Sequence, residues 1–258
     1  MSYGLQISAS GIMTSLYRQD VYANNLANID TVGFKPDVPS SRPRDAVRAE
    51  DSLPFLPSNK LLERLGAGAM LNPNSIDFTQ GSLKTTGNAL DLAIQGDGFF
   101  VVGDATGRSG EQVRLTRDGR FTRDSGGRLV MATTGAPVLD TAGLPIELRS
   151  GSSITVDGDG TIRQSGEVMA QIKIAQVENR GQLSKLGQSL FMAPAAAIGA
   201  AAASGSVRQF AVEDSSADEI KTLMQMTSAG REVEANVSLI QQHDRMMDRA
   251  INTLGRVA

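Results

Sequence analysis

The chain of 258 residues has no cysteine, no tryptophan and a single histidine, and aromatic side chains make up only 4% of it. Without cysteine there is no disulfide framework, no thiolate nucleophile and no sulfur-based metal site, and both reducing and oxidising compartments stay open. So few aromatics leave the packing of any core to aliphatic side chains. The lone His243 stands beside Asp244, but neighbours in a helix point apart, so the two do not form an acid–base pair. Charge of either sign is also scarce in blocks: 25 basic and 28 acidic residues are scattered to a net charge of −3, which gives no footprint for phosphate backbones. Nucleic acid is therefore not an expected partner. No apolar run approaches the ~20 residues needed to cross a bilayer, so no direct membrane insertion is expected. Residues Met1 to Leu5 show neither a basic n-region nor an apolar h-region, so any export is expected to proceed without a cleaved signal peptide.

The motifs of common catalytic sites are missing as well. Gly96-x-Gly98 lacks the third glycine and the following helix of a dinucleotide site, and no phosphate-binding Gly-Lys-Ser or Gly-Lys-Thr occurs. Asp157-Gly158-Asp159-Gly160-Thr161 has the opening of a calcium loop, but loop position 12, where a bidentate Glu is needed, falls on Val168, with Glu167 one residue early. A hairpin turn is the simpler reading. An enzyme would need convergent polar groups, for which Asp91, Asp97, Arg117 and Asp118 are the best candidates, and turn formation accounts for most of them. No catalytic residue, cofactor or metal ligand is expected.

What the sequence does carry is periodicity at its two ends. Leu5, Ala9, Ile12, Leu16, Gln19, Ala23 and Leu26 alternate spacings of four and three, which predicts one seam of a helix that stops before Gly33 and Pro36. Leu223, Met226, Gly230, Val233, Val237, Ile240, Asp244, Met247, Ile251 and Leu254 repeat the pattern over more than four heptads. Ser216 with Glu219, or Ser215 with Asp218 in a second register, offers a capping box at the start of that helix. Each seam is the simplest burial for the other, although the second is longer by two to three heptads and leaves apolar surface uncovered. Met224, Met226, Met246 and Met247 are read as packing residues, in a core or between subunits.

Between the ends the period changes. Residues 37–75, with Pro39, Pro43, Pro54, Pro57 and Pro73, read as a long mobile connector with a short candidate helix around 59–65. From Ile76 to Ala193 short apolar runs (90–95, 99–102, 120–122, 154–156 and 168–177) alternate with turn clusters such as Gly96-Asp97-Gly98 and Ser125-Gly126-Gly127. That is the pattern of hairpins in an antiparallel β domain. The Ala-rich residues 195–203 read as an exposed loop.

Ala23-Asn24-Asn25-Leu26-Ala27-Asn28-Ile29-Asp30-Thr31-Val32-Gly33-Phe34-Lys35 closely resembles the N-terminal signature of the flagellar rod and hook axial protein family. Residues Gln80 to Ile94 with Gly96 to Phe100 resemble the family's second motif block, and Thr116 to Phe121 with Gly127 to Val130 its next hairpin. Glu213 to Asp218 and Arg231 to Asn236 are similar to the opening of its last helix and a motif within it. Ser216-Ala217 and Val233 depart from the family's commoner Asn-Val pair and aromatic residue at those places.

The expected fold is accordingly α+β: N- and C-terminal heptad helices packed as a coiled-coil-like module, with an inserted antiparallel β domain. The expected divisions are an N-terminal helix and exit turn at 1–36, a connector at 37–75, a mostly-β domain at 76–204 and a C-terminal helix at 205–258. The resemblance implies a rod subunit of the flagellar basal body, in the periplasmic space, exported by the flagellar type III apparatus and built into a hollow drive shaft. Its partners would be copies of itself, other rod proteins and hook-side axial proteins. The assembly interface would draw on Leu5, Ile12, Leu16, Asn24, Asn25, Leu26, Asn28, Gly33, Phe34, Leu223, Met226, Val233, Val237, Ile240, Met247, Ile251 and Leu254. The competing reading is a soluble calcium- or carbohydrate-binding β module with helical arms.

Overall fold

The computed structural model describes residues 3–45, 66, 68–103, 112–151, 153–199 and 205–254. The chain divides into two compact units. The first holds residues up to Ala27, Asp37–Ser75 and everything from Asp218 onward, and the second holds Asn28–Pro36 with Ile76–Ala217.

In the first unit, α1 spans Tyr3–Ala27 and α2 spans Glu219–Leu254. At 36 residues α2 is about 54 Å long. Its cap differs from the expected one. Asp218 accepts a hydrogen bond from Lys221 N at 2.9 Å, the bond of an N-cap side chain to the third helical N–H. Ser216 Oγ makes no hydrogen bond, and its backbone N–H is turned to Phe34 O. A carboxylate also suits the positive end of the helix dipole better than a hydroxyl.

The two helices run antiparallel: Gly4 faces His243, Gly11 faces Asn236, and Ser15 donates to Glu232 at 2.9 Å. The contact stripe therefore runs through Gly4, Gly11, Ser15 and Arg18, one residue before the heptad positions Leu5, Ile12 and Gln19 of the expected seam. On α2 it runs through Thr222, Ala229, Asn236 and His243 together with Met226, Val233, Ile240 and Met247. Four of the ten expected α2 positions thus shift by one. Small residues at the crossing let the backbones approach, whereas Leu16, Leu223 and Val237 are displaced outward and exposed.

The connector reading of residues 37–75 is corrected over its two ends. Strand β1 (Asp37–Pro43) pairs with β2 (Ala69–Ile76). Ser10 Oγ, turned out of α1, accepts the N–H of Ala69, and Arg18 donates to Ser41 Oγ, so the pair is tied to α1. Prolines hid these strands from the sequence, because a two-stranded ribbon has two edges on which an absent N–H costs nothing. The candidate helix at 59–65 lies outside the described residues.

The second unit is antiparallel throughout. Short strands β3 (Leu83–Thr85) and β4 (Leu92–Gln95) lead to β5 (Phe99–Val102) and β6 (Gln112–Thr116). A hairpin of β7 (Phe121–Arg123) and β8 (Leu129–Met131) follows. Strands β9 (Ile154–Val156), β10 (Thr161–Gln164) and β11 (Glu167–Gln171) form a three-stranded sheet in the order β11-β10-β9. With β12 (Ile174–Ala175), β13 (Ser184–Gly187) and β14 (Leu190–Pro194) the main sheet is ordered β12-β5-β6-β14-β13. Finally β15 (Ser206–Gln209) pairs with β4, and β16 (Ala211–Glu213) with β3.

The unbroken run Phe99-Phe100-Val101-Val102 explains the centre of this unit. All four are buried, Phe99 and Val101 in one apolar cluster and Phe100 and Val102 in another, so β5 is covered on both faces. Burying each such side chain contributes roughly 1.5–3 kcal/mol. Of the Ala-rich stretch, residues 195–197 form a single 3-10 turn, and 200–204 lie outside the described residues.

Candidate functional site

Three places gather the residues singled out by the sequence. The first is the end of α1. Asn25 is buried and exchanges two hydrogen bonds with the backbone of Asp37: Nδ2 donates to Asp37 O at 2.8 Å, and Asp37 N donates to Oδ1 at 2.9 Å. Asn28 Oδ1 accepts from Thr31 Oγ1, and Asn28 O from Thr31 N, which closes the turn beyond the helix. Asn24 is exposed and Leu26 half-buried.

The second is a buried ionic cluster. Glu213 is 0% exposed, Lys35 1% and Arg117 5%. Glu213 Oε1 accepts from Lys35 Nζ at 2.5 Å and from Gly81 N at 3.0 Å, while Oε2 accepts from Arg117 Nη1 at 3.0 Å. Its backbone oxygen takes the N–H of Gly33 at 2.7 Å. Lys35 also donates to Thr79 O at 2.6 Å, and Arg117 to Gly96 O at 2.8 Å while lying over the Phe99 ring. One carboxylate thus joins four stretches that the sequence had singled out separately. Burial pulls the Lys35 ammonium below its ordinary range, with the adjacent Glu213 carboxylate opposing that shift.

Gly33 makes this convergence possible. Its φ of +68° lies in the left-handed region, and a Cβ there would collide with the backbone at Asp118 N. Phe34 beside it is buried, with Lys185 Nζ 4.6 Å from its ring centroid. Gly33, Phe34 and Asn25 therefore have their partners within the chain. Nothing in composition or spacing pointed to Glu213 as the hub, since its partners are 178 and 96 residues away in sequence.

The third is the helix pair, its contact stripe and its outer surface. Leu5, Ile12, Met226, Val233, Ile240 and Met247 are half-buried. Leu16 (42%), Leu223 (49%), Val237 (38%) and Ile251 (64%) stay exposed, as do Met224 and Met246. The side chain of Leu254 lies outside the described ones.

The residues weighed for chemistry are dispersed and occupied. Asp91 accepts from Asn88, Asp97 pairs with Arg180, and Asp118 with Arg120. Asp157 and Asp159 close the β9–β10 hairpin. Gly160 N donates to Asp157 O, Asp159 accepts both the N–H and the hydroxyl of Thr161, and Arg163 holds Asp157 at 2.7 Å. The Thr161 N–H keeps the Asp159 carboxyl below the usual carboxylate range. Among the described residues no group of three or more His, Asp or Glu is placed to hold a metal ion. Among them, no helix is long and apolar enough to cross a membrane.

The chain thus combines two terminal helices with a β unit inserted between them in sequence, and its motifs meet at one buried carboxylate. Residues 5–35 match the flagella basal body rod protein family, and residues 93–164 match the D1 domain of flagellar hook proteins FlgE/F/G. The flagellar basal-body rod protein FlgG of Borreliella burgdorferi is 30% identical over 98% of each chain. FlgF of Caulobacter vibrioides is 30% identical over the whole of both. The flagellar hook protein FlgE of Treponema pallidum is 34% identical over 52% of this chain but only 28% of its own length. The chain belongs to the flagellar basal-body rod protein family, a family of structural proteins rather than enzymes.

Proposed function

We propose that the chain is a structural subunit of the bacterial flagellar basal-body rod, polymerising into the hollow shaft that carries torque from motor to hook. Its location is the periplasmic part of the basal body, reached through the flagellar type III export apparatus without a cleaved signal. Copies of the chain, other rod proteins and hook-side axial proteins are its neighbours. The full-length similarity to rod proteins supports this reading, and the observation that carries it is the row of exposed apolar side chains on α2. Among the described residues nothing covers Leu223, Val237 and Ile251, which leaves apolar surface for another chain to bury.

In this reading α1 and α2 act as a coiled-coil-like pair completed by neighbours. Met226, Val233, Ile240 and Met247 line the seam with Leu5 and Ile12 at its flank, and Leu16, Leu223, Val237, Ile251 and Leu254 meet other subunits. Asn24, Asn25, Leu26, Asn28, Gly33 and Phe34 shape the turn that presents α1. The contact is heterologous and does not close, as a growing tube requires. Ordering of any loosely held part of the helices is then coupled to assembly.

The test is to replace Leu223 or Val237 by Asp. Each isolated variant is expected to melt close to the wild type, since an exposed site changes stability by only about 0.5 kcal/mol, yet to fail to restore swimming in a strain lacking its own copy. Full motility of both variants would refute the assembly role of this surface. The calcium- or carbohydrate-module reading finds no support: its Asp157 and Asp159 are spent on the hairpin, and calcium is expected to leave the melting temperature unchanged.

A further inference from the structure

Lys35 poses a physical question that rod assembly by itself does not answer. A lysine at 1% exposure, sharing one carboxylate with an arginine at 5%, leaves the cluster of Lys35, Glu213 and Arg117 with a formal excess of positive charge. Taking an ammonium out of water costs several kcal/mol, which a pair of this kind does little more than recover. An apolar side chain would fill the same space at lower cost. What an apolar side chain would lack is direction: Lys35 aims one donor at Glu213 Oε1 and another at Thr79 O, with both bonds short.

The two segments so joined are the ones that connect the helices to the rest of the chain. Residues 28–36 follow α1, and residues 213–217 precede α2. Among the described residues they are joined by Gly33 N to Glu213 O, Ser216 N to Phe34 O, and the Lys35–Glu213 pair. The first two are backbone bonds that name no side chain; Gly33 is placed by the tight space against Asp118, and Glu213 by the pairing of β16 with β3. The third specifies one partner, because a slip would move Lys35 from its carboxylate to an apolar neighbour, Ala211, or to Ser215, and leave a buried charge unpaired.

We propose that Lys35 is a positioning residue whose charge is kept as a register lock between the segment leaving α1 and the segment entering α2, rather than for stability. For its effect on assembly the proposal rests on the rod reading above.

The test compares the full-length protein with Lys35→Met, which keeps the side-chain length and leaves Glu213 paired to Arg117 and Gly81. The variant is expected to melt near the wild-type temperature. Hydrogen–deuterium exchange should accelerate at least about ten-fold in peptides covering 29–36 and 210–217, and stay within about two-fold in peptides covering 92–102. Lys35→Arg, which retains charge and donors, should restore slow exchange in part. Wild-type exchange in the two segments, or acceleration everywhere together, would overturn the proposal. So would failure of Lys35→Met to fold, since Lys35 would then be serving global stability. In a strain lacking its own copy, swimming should return with the wild type and not with Lys35→Met. If both restore swimming, the lock has no part in assembly and the inference falls. If the wild type does not, the rod reading falls instead, and the exchange result still decides the register lock.

Discussion

Asn25 and Asp37 face each other as two residues of an antiparallel sheet would, except that one of them contributes a side-chain amide in place of its backbone. The donor and acceptor of Asn25 match the carbonyl and N–H of Asp37 at 2.8 and 2.9 Å. The last turn of α1 is thereby fastened to the first residue of β1. Asn25→Ala removes both bonds and strands two backbone groups, and is expected to cost about 2–3 kcal/mol in urea unfolding. Asn25→Asp keeps the acceptor but turns an oxygen toward Asp37 O, so it should be at least as damaging.

Glu213 is the carboxylate shared by two buried cations. Glu213→Gln leaves Lys35 and Arg117 buried without their counter-charge, and an expected loss of about 3–5 kcal/mol follows. Equilibrium denaturation would measure it, with Lys35→Met as the comparison that keeps the Glu213–Arg117 pair and loses far less.

Lys35 gives stability an alkaline slope of definite sign. Burial holds its ammonium below the ordinary value of 10.5, so between the lowered folded value and 10.5 the unfolded chain binds more protons than the folded one. Stability contributed at this site therefore rises as pH rises through that window, and the penalty of the buried charge is complete below it. Taking the difference between wild type and Lys35→Met from neutral pH up to 10.5 cancels the other lysines. A difference that falls with pH would show that the Glu213 pairing outweighs desolvation.

Gly33 occupies a conformation that no side chain shares cheaply. Gly33→Ala combines a φ of +68° with a Cβ against the Asp118 backbone, and should destabilise by about 2 kcal/mol or more in thermal unfolding. The Lys35 contacts should loosen with it, seen as faster exchange at residues 33–36.

How far the sequence reached differs between elements for identifiable reasons. The helices were legible because their apolar period is local, and the described α1 and α2 cover the spacing read from Leu5 to Leu26 and from Leu223 to Leu254. The stripe that makes contact was misplaced by one residue on α1 and at four of the ten positions on α2. Hydrophobicity marks Leu16, Leu223 and Val237, while the distance between backbones is set by the small Gly4, Gly11 and Ala229. The cap was misassigned because Ser216 and Asp218 both fit a helix start, and only the bond to Phe34 O draws the Ser216 backbone elsewhere. Strands β1 and β2 were missed because prolines suggest a connector wherever the ribbon edge is not visible.

The two terminal helices, the flagellar family and the apolar run 99–102 were all determined by residues acting over a few neighbours, through periodicity, turn chemistry and motif. The meeting of Lys35, Arg117 and Glu213, and the choice of which apolar residues on α2 remain uncovered, were decided only by the tertiary structure. The charge on a side chain is written in the sequence. Its desolvation, and the partner that answers it, depend on segments as many as 178 residues apart being brought to within a hydrogen bond of each other.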